Sequence, residues 1–286
     1  MSPRIWLITG TSTGMGRSLA EFLLEKGEIV VATLRSPEVI DDLKSKYPSE
    51  RLAVHKLDVT KEDQIVDVFA FVKERFGRLD VVVNNAGYAM AGELEATKEA
   101  DARAIFETNF WGAVHVTREA VKFFREVNPA GVGGRLLQIS SQAGVAVAPA
   151  TGYYSATKFA LEAISEALAA ELDPAWNIKV TVIELGGFRT PGVEKIIWAS
   201  PHPAYNKPDL PSNLFRKSGL NANGDPKKAA NAYYELVALQ DPPLHLPLGK
   251  ECISVIRKKL TDFSAMVDEY AYLSADLEVD LQEMVF

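Results

Sequence analysis

Six short runs rich in Val, Ile and Leu recur along the chain: "IWLIT" (5–9), "IVVATL" (29–34), "LAVHKL" (52–57), "LDVVV" (79–83), "RLLQIS" (135–140) and "KVTVIEL" (179–185). Longer stretches of helical period separate them. Strands this short and this apolar are buried on both faces, and their alternation with helices predicts repeated βαβ units around one sheet. The fold class expected is therefore α/β: a doubly wound, mostly parallel sheet with helices on both faces. A seventh strand is expected near "LHLPL" (244–248). Length alone would allow one large domain or two small ones. The regular pattern continues to about residue 190 without a linker, which argues for a single domain over 1–286.

Helix boundaries are marked by local chemistry. Thr60 is expected to cap "KEDQIVDVFAFVKERF" with Asp63 three residues on, and Gly77 and Gly27 are expected to close their helices. From Pro191 to Pro211 five prolines break the period, and Trp198, Tyr205 and Phe215 follow one another through this region. An irregular insertion over about 188–225 predicts a substrate lid. Helical pattern resumes from Pro226 to Leu239, and a helical C-terminal extension is expected over about 249–286, its last, acidic residues fraying.

The first turn carries the clearest binding signal. In "ITGTSTGMGRSLAEFLLEKG", Gly10, Gly14 and Gly16 sit between a strand and a helix, spaced G-x-x-x-G-x-G. Missing side chains let backbone approach a pyrophosphate, whose charge the N–H groups at the helix start stabilise. Gly10, Ser12, Thr13, Gly14, Met15 and Gly16 are thus expected to line a dinucleotide site in a Rossmann-like domain. A chain preferring NAD places an acidic residue at the end of the second strand; this one places Arg35 and Ser36 there. An arginine pairs with a 2′-phosphate, so NADP(H) is the preferred cofactor and NAD(H) the alternative.

Composition excludes several classes of partner. A net charge of −7 gives no broad basic field for nucleic acid or an anionic membrane. The one cysteine, Cys252, cannot form an internal disulfide, which points to a reducing, cytoplasmic setting. The N-terminus lacks a signal-peptide core, and no apolar run is long enough to cross a membrane. Among the four histidines no pair has metal spacing, so no metal is expected.

"GYYSATK" (152–158) raises a choice between two tyrosines. Tyr154 and Lys158 are four apart and share a helix face, whereas Tyr153 is rotated by about 100°. A phenol working as an acid or base near neutrality needs a cation beside its anionic form, and Lys158 can supply it. "VVVNNAG" ends one predicted strand and "QISSQAG" another, and "TNFWG" carries Asn109 within a helical stretch.

With the glycine turn, NNAG, the strand-end serine and Y-x-x-x-K in this order and spacing, the chain resembles the short-chain dehydrogenase/reductase family over roughly residues 5–190. The resemblance implies Ser141 as the catalytic serine, thirteen residues before Tyr154. It implies Tyr154 as acid/base, Lys158 as the residue that binds the nicotinamide ribose and lowers the tyrosine's pKa, and Asn109 as a structural, water-holding residue. It further implies Asp58 and Val59 near the adenine, Asn85, Ala86 and Gly87 along the cofactor, and Gly186, Phe188 and Thr190 near the nicotinamide end. Where relatives carry "PG" after the sixth strand, this chain has Leu185 before Gly186. Stretches 101–127 and 154–172 correspond to helices through which relatives commonly form a homodimer or homotetramer.

These readings imply an NADPH-dependent oxidoreductase that reduces a ketone or aldehyde, or oxidises the alcohol, with an apolar or aromatic small-molecule substrate. An NAD-dependent alcohol dehydrogenase of the same family is the alternative. A non-enzymatic NADP(H) sensor is the reading from another class, and binding alone has no need of a paired phenol and ammonium.

Overall fold

A computed structural model describes residues 2–191, 196–219 and 222–278. Parts of the expected lid and of the acidic tail lie outside them. The chain runs β1 (Ile5–Thr9), α1 (Gly14–Glu25), β2 (Ile29–Leu34), α2 (Asp41–Lys46), β3 (Leu52–Lys56), α3 (Glu62–Phe76), β4 (Val81–Asn84) and β5 (Met90–Ala91). It continues through α4 (Glu99–Phe106), a π-helical segment (Glu107–Trp111), α5 (Gly112–Glu126), β6 (Gly134–Ile139), α6 (Gly152–Glu171) and β7 (Ile178–Leu185). It then forms β8 (Ile197–Trp198), α7 (Pro211–Ser218), α8 (Pro226–Leu236), β9 (His245–Leu248) and α9 (Lys250–Tyr270).

Seven strands form one sheet in the order β3-β2-β1-β4-β6-β7-β9, every neighbouring pair parallel. The expected doubly wound α/β domain is what forms. Strand residues alternate between two cores. Trp6, Ile8, Val81 and Val83 join the layer under α1 and α8, while Ile5, Leu7 and Val82 join the layer under α3 and α5. Period-2 alternation sends successive side chains to opposite faces, so a strand sandwiched between helices has to be apolar throughout. The order reverses between β1 and β4, and ligands bind in such sheets outside the carboxyl ends of the strands at that switch.

Two expectations need correction. Thr60 does not cap α3. Its N–H and hydroxyl both donate to Asp58 Oδ1, at 3.0 and 2.8 Å, and Lys61 occupies the cap position without a side-chain bond. The short polar side chain has found a turn partner upstream in place of the helix start. The insertion after β7 is also less irregular than its prolines imply. Ile197–Trp198 pairs in parallel with Met90–Ala91 in a separate two-stranded sheet, and α7 follows.

The insertion is bound to the β5 region by side chains as well. Buried Glu93 pairs with Arg216 of α7 at 3.4 Å, and the Arg216 guanidinium lies 4.5 Å from the Trp198 ring centroid. Trp198 and Phe215 face each other at 6.0 Å, and Tyr205 donates to Glu95 Oε1 at 2.5 Å. Trp198, Tyr205 and Phe215 therefore all make anchoring contacts. No described helix is long and apolar enough to cross a membrane.

Candidate active site

At the β1–α1 turn, Gly10 and Gly14 have φ of +74° and +63°, a region L side chains rarely adopt. A Cβ on Gly16 would overlap the Gly10 carbonyl and stand 2.6 Å from Asn85 Nδ2. Asn85 fixes the turn from the neighbouring strand, donating through Nδ2 to Thr9 O at 2.8 Å and Gly10 O at 3.2 Å. The Thr9 hydroxyl accepts from the N–H groups of Asn85 and Ala86, both at 2.9 Å. The start of α1 has no acidic residue in its first turn, and Thr13 at its cap makes no side-chain bond to it. A bare glycine cradle with open helix N–H groups fits a pyrophosphate. Gly14 faces Thr190, whose Cβ lies 3.5 Å from where a Gly14 side chain would begin.

Arg35 and Ser36 are exposed just beyond β2. Burial alone would raise the Asp58 carboxyl, but the Thr60 bonds and the positive charges of Arg35 and Lys61 hold it below its ordinary value. Arg35 and Asp58 thus share the mouth of the cleft, where the resemblance expects the adenosine end of the cofactor. Val59 is buried and packs against Gly112, so only its backbone is available there. Phe188 is buried with its ring over Gly224, and the two residues pair through their backbones.

The catalytic candidates converge at the ends of β4 and β6. Asn109 lies in the π-helical segment, a widened turn of the kind often found at functional sites. Its side chain pins Tyr88, accepting from the Tyr88 N–H at 3.0 Å and donating to the Tyr88 carbonyl at 2.9 Å. A Cβ on Gly87 would come within 3.0 Å of Asn109 Oδ1 and 3.9 Å of Lys158 Nζ, so a glycine keeps this floor open. Ser141 caps a short 3₁₀ turn, accepting from the Ala143 N–H at 3.1 Å, and its hydroxyl points at Leu185 O, 3.4 Å away. β7 runs straight through Leu185. The Gly186 N–H bonds Leu248 O at 2.9 Å, so the strand accommodates a leucine in place of proline.

Lys158 is buried on α6 and donates to Ile139 O at 2.7 Å, with its ammonium 6.0 Å from the Tyr154 ring centroid. Burial lowers its pKa to about 8, against the opposing negative charge of Glu162. Burial pushes the Tyr154 phenol above its ordinary value, while a hydrogen bond with Ser141 pulls it down. The phenol as it stands is therefore raised, opposite to the effect expected from a lysine neighbour alone. Tyr153 points elsewhere, into a surface groove with Phe106 and Trp111.

Two acidic residues that no motif announced complete the surroundings. Glu251 of α9 accepts from the Gly187 N–H at 2.8 Å and so fixes the loop after β7. Glu162, one turn beyond Lys158, is buried and accepts from Ser140. Burial raises its pKa to about 7, with Glu184 and Glu166 adding to the rise and Ser140 and His245 opposing it. His245 Nδ1 lies 2.7 Å from Glu184 Oε1 and 3.4 Å from Glu162 Oε2. Glu162, Glu166 and His245 bring ligand-type atoms within 4.8 Å of one another, a cluster assembled from α6 and β9 that linear spacing could not reveal.

Comparison with known proteins gives a consistent set of relatives. A family described as short chain dehydrogenase matches residues 4–199. An uncharacterized oxidoreductase of Schizosaccharomyces pombe is 38% identical over 96% of this chain and 91% of its own length. A 3-ketodihydrosphingosine reductase of Bacteroides thetaiotaomicron is 34% identical over 87% of this chain and 89% of its own. Among solved structures, a short-chain dehydrogenase from Streptomyces avermitilis superposes with a TM-score of 0.88 at 36% identity, covering 98% of this chain and 100% of that one. ElxO with NADP bound gives a TM-score of 0.72 at 28% identity, covering 88% and 99%.

Proposed function

The chain belongs to the short-chain dehydrogenase family, and on that premise we propose that it is an NADP(H)-dependent oxidoreductase interconverting a carbonyl and an alcohol on an apolar or aromatic small molecule. The observation that carries this reading is the meeting of Ser141, Tyr154 and buried Lys158 beside a glycine cradle suited to a pyrophosphate. A binding module has no use for a phenol bonded to a serine next to a desolvated ammonium.

The Gly10–Gly16 turn, Asn85 and Thr190 would hold a nicotinamide cofactor, which when bound would supply or accept the hydride. Tyr154 gives its proton to the substrate oxygen as negative charge develops there, and the Ser141 hydroxyl donates a hydrogen bond to the same oxygen. The Lys158 ammonium stabilises the phenolate left behind. Asn109, by holding Tyr88 and donating to Thr157 Oγ1 at 3.3 Å, fixes the wall beside Lys158, and through a water it would help return the proton by way of Lys158. In alcohol oxidation the same groups act in reverse.

Exposed Arg35 at the end of β2 supports NADP(H) over NAD(H), as does the NADP bound to ElxO. The relative named as a 3-ketodihydrosphingosine reductase supports a ketone as substrate. The surface groove with Trp111, 43% exposed, and Tyr153 supports self-association through the α4–α6 face. The lone cysteine supports a cytoplasmic setting. The decisive experiment measures NADPH and NADH oxidation against a panel of ketones and aldehydes. Turnover with NADPH is expected; tight NADP(H) binding with no turnover on any member would overturn the enzyme reading in favour of a sensor.

A further inference from the structure

Glu162 and Glu166 lie one turn apart on the same face of α6, and β9 brings His245 against them. One donor atom from each of the three lies within 4.8 Å of the other two. A single histidine is enough here, because its companions are carboxylates that no linear spacing joins to it.

The side chains around this cluster are placed as in a metal site. Glu184 Oε1 lies 2.7 Å from His245 Nδ1. A carboxylate in that position accepts the Nδ1 proton, fixes the ring and leaves Nε2 with its lone pair, as ligating histidines require. Nε2 then faces Glu166 Oε1 at 3.5 Å, close to the edge of about 3.4 Å that metal–ligand bonds of about 2.1 Å give in a tetrahedron. Glu162 is held from behind. Its Oε1 accepts from Ser140, and a Cβ on Gly144 would stand 2.7 Å from that oxygen, so the carboxyl has no space to turn away on this side. Its Oε2 is buried, lies 3.4 Å from His245 Nδ1 and has no hydrogen-bond partner among the described residues. Glu184 Oε2 is in the same condition. With Glu162 only 5% exposed and Glu184 1%, three carboxylates surround one imidazole where water cannot solvate them. Buried carboxylates side by side repel, and a cation between them removes that cost. Glu166 and His245 are exposed and leave the cluster open to solvent, which gives an ion its way in.

We propose that Glu162, Glu166 and His245 form a binding site for a divalent transition-metal ion such as Zn²⁺, with Glu184 fixing the histidine and water completing the coordination. An imidazole among carboxylates suits Zn²⁺ and its first-row neighbours, whereas Mg²⁺ and Ca²⁺ favour oxygen ligands. The ion would tie the edge strand β9 to α6, and β9 leads directly into α9, whose Glu251 fixes the loop after β7. In the metal-free protein a proton takes the place of the cation on Glu162.

The test uses the full chain, freed of metal with EDTA and dialysed. Titration with Zn²⁺ against a chromophoric chelator should show one equivalent bound per chain, and X-ray absorption of the loaded protein should show an imidazole in a shell of oxygens. His245→Ala and Glu166→Gln should each weaken that binding by more than about tenfold, and Glu184→Gln by about 10- to 100-fold. Glu166 is exposed, so its variant keeps the fold, and NADPH affinity checks the folding of the other two. His202→Ala, in the insertion, should bind Zn²⁺ as the wild type does. Zn²⁺ should also raise the Tm of the wild type and leave that of His245→Ala unchanged. No stoichiometric binding, a shell without imidazole, an affinity unchanged in any of the three cluster variants, a loss caused by His202→Ala, or a wild-type Tm that Zn²⁺ does not raise would each overturn the proposal.

Discussion

Glu162 stands one helical turn beyond Lys158 on the buried face of α6, and its negative charge is what opposes the loss of the lysine's proton. With Lys158 near 8, the ammonium form is lost as pH rises through that value, and kcat/KM for carbonyl reduction is expected to fall on the alkaline side of about 8. Removing the neighbouring charge in Glu162→Gln should move this limb to lower pH. A pH–rate profile in which the limb stays put or moves upward would show that Glu162 does not set the lysine.

The same carboxyl makes stability depend on pH in a definite direction. Its pKa is raised from an ordinary 4.5 to about 7 by burial. Between those values the native state holds a proton that the unfolded chain has released, so this contribution is complete below about 4.5 and is lost as pH rises through about 7. Ser140, Glu184, His245, Glu166 and Lys158 are the groups facing it. The Tm of Glu162→Gln relative to wild type should therefore rise from pH 5 to pH 8, and thermal unfolding across that range measures it. A flat difference would mean that the native carboxyl is already ionised at pH 5.

Tyr154→Phe is expected to lower kcat by about 10²- to 10⁴-fold, the usual weight of a general acid, with cofactor affinity retained. Tyr153→Phe, on the outer groove, should stay within about twofold, since surface changes of this kind have small effects. Steady-state kinetics on both variants separate the two tyrosines; equal losses would remove Tyr154 from its role.

Arg35→Ala should raise the KM for NADPH by about 10- to 100-fold, the range expected for a lost charge-assisted bond, and leave NADH nearly unchanged. Parallel titrations with the two cofactors give the answer directly. If both cofactors weaken equally, Arg35 does not read the phosphate.

Gly16→Ala should abolish NADP(H) binding, because the added methyl would overlap the Gly10 carbonyl and press on Asn85 Nδ2. The turn cannot give way without breaking the Asn85 bonds to Thr9 and Gly10. Fluorescence titration of NADPH checks binding, and circular dichroism shows whether the fold survives. Gly27→Ala, at a helix end where a Cβ meets nothing within 4 Å but φ is +90°, should lose some stability and yet bind NADPH as the wild type does.

What the chain discloses in advance depends on how local the cause is. β1, β2 and β7 are legible because each strand, buried on both faces, must be apolar at consecutive positions. Gly77 is legible because a left-handed helix end favours glycine, and it has φ +63°. The cap at Thr60 misleads because Asp58, two residues upstream, competes for the same hydroxyl. Met90–Ala91 and Ile197–Trp198 are too short to carry a period, and each becomes a strand only through the other. Glu162 and Glu251 look like ordinary helical carboxylates in the sequence. Only the topology that brings β6 and β9 to the side of α6, and α9 to the end of β7, gives them their places.

The pairing of β8 with β5, reinforced by Glu93 and Arg216, has a consequence for anyone recombining this scaffold. Segments 90–97 and 196–219 form one exchangeable block although about a hundred residues separate them. Transplanting the second segment alone from a homologue would leave Met90–Ala91 without its hydrogen-bonding neighbour and a buried carboxylate without its guanidinium. Libraries aimed at new substrates should draw both segments from the same parent.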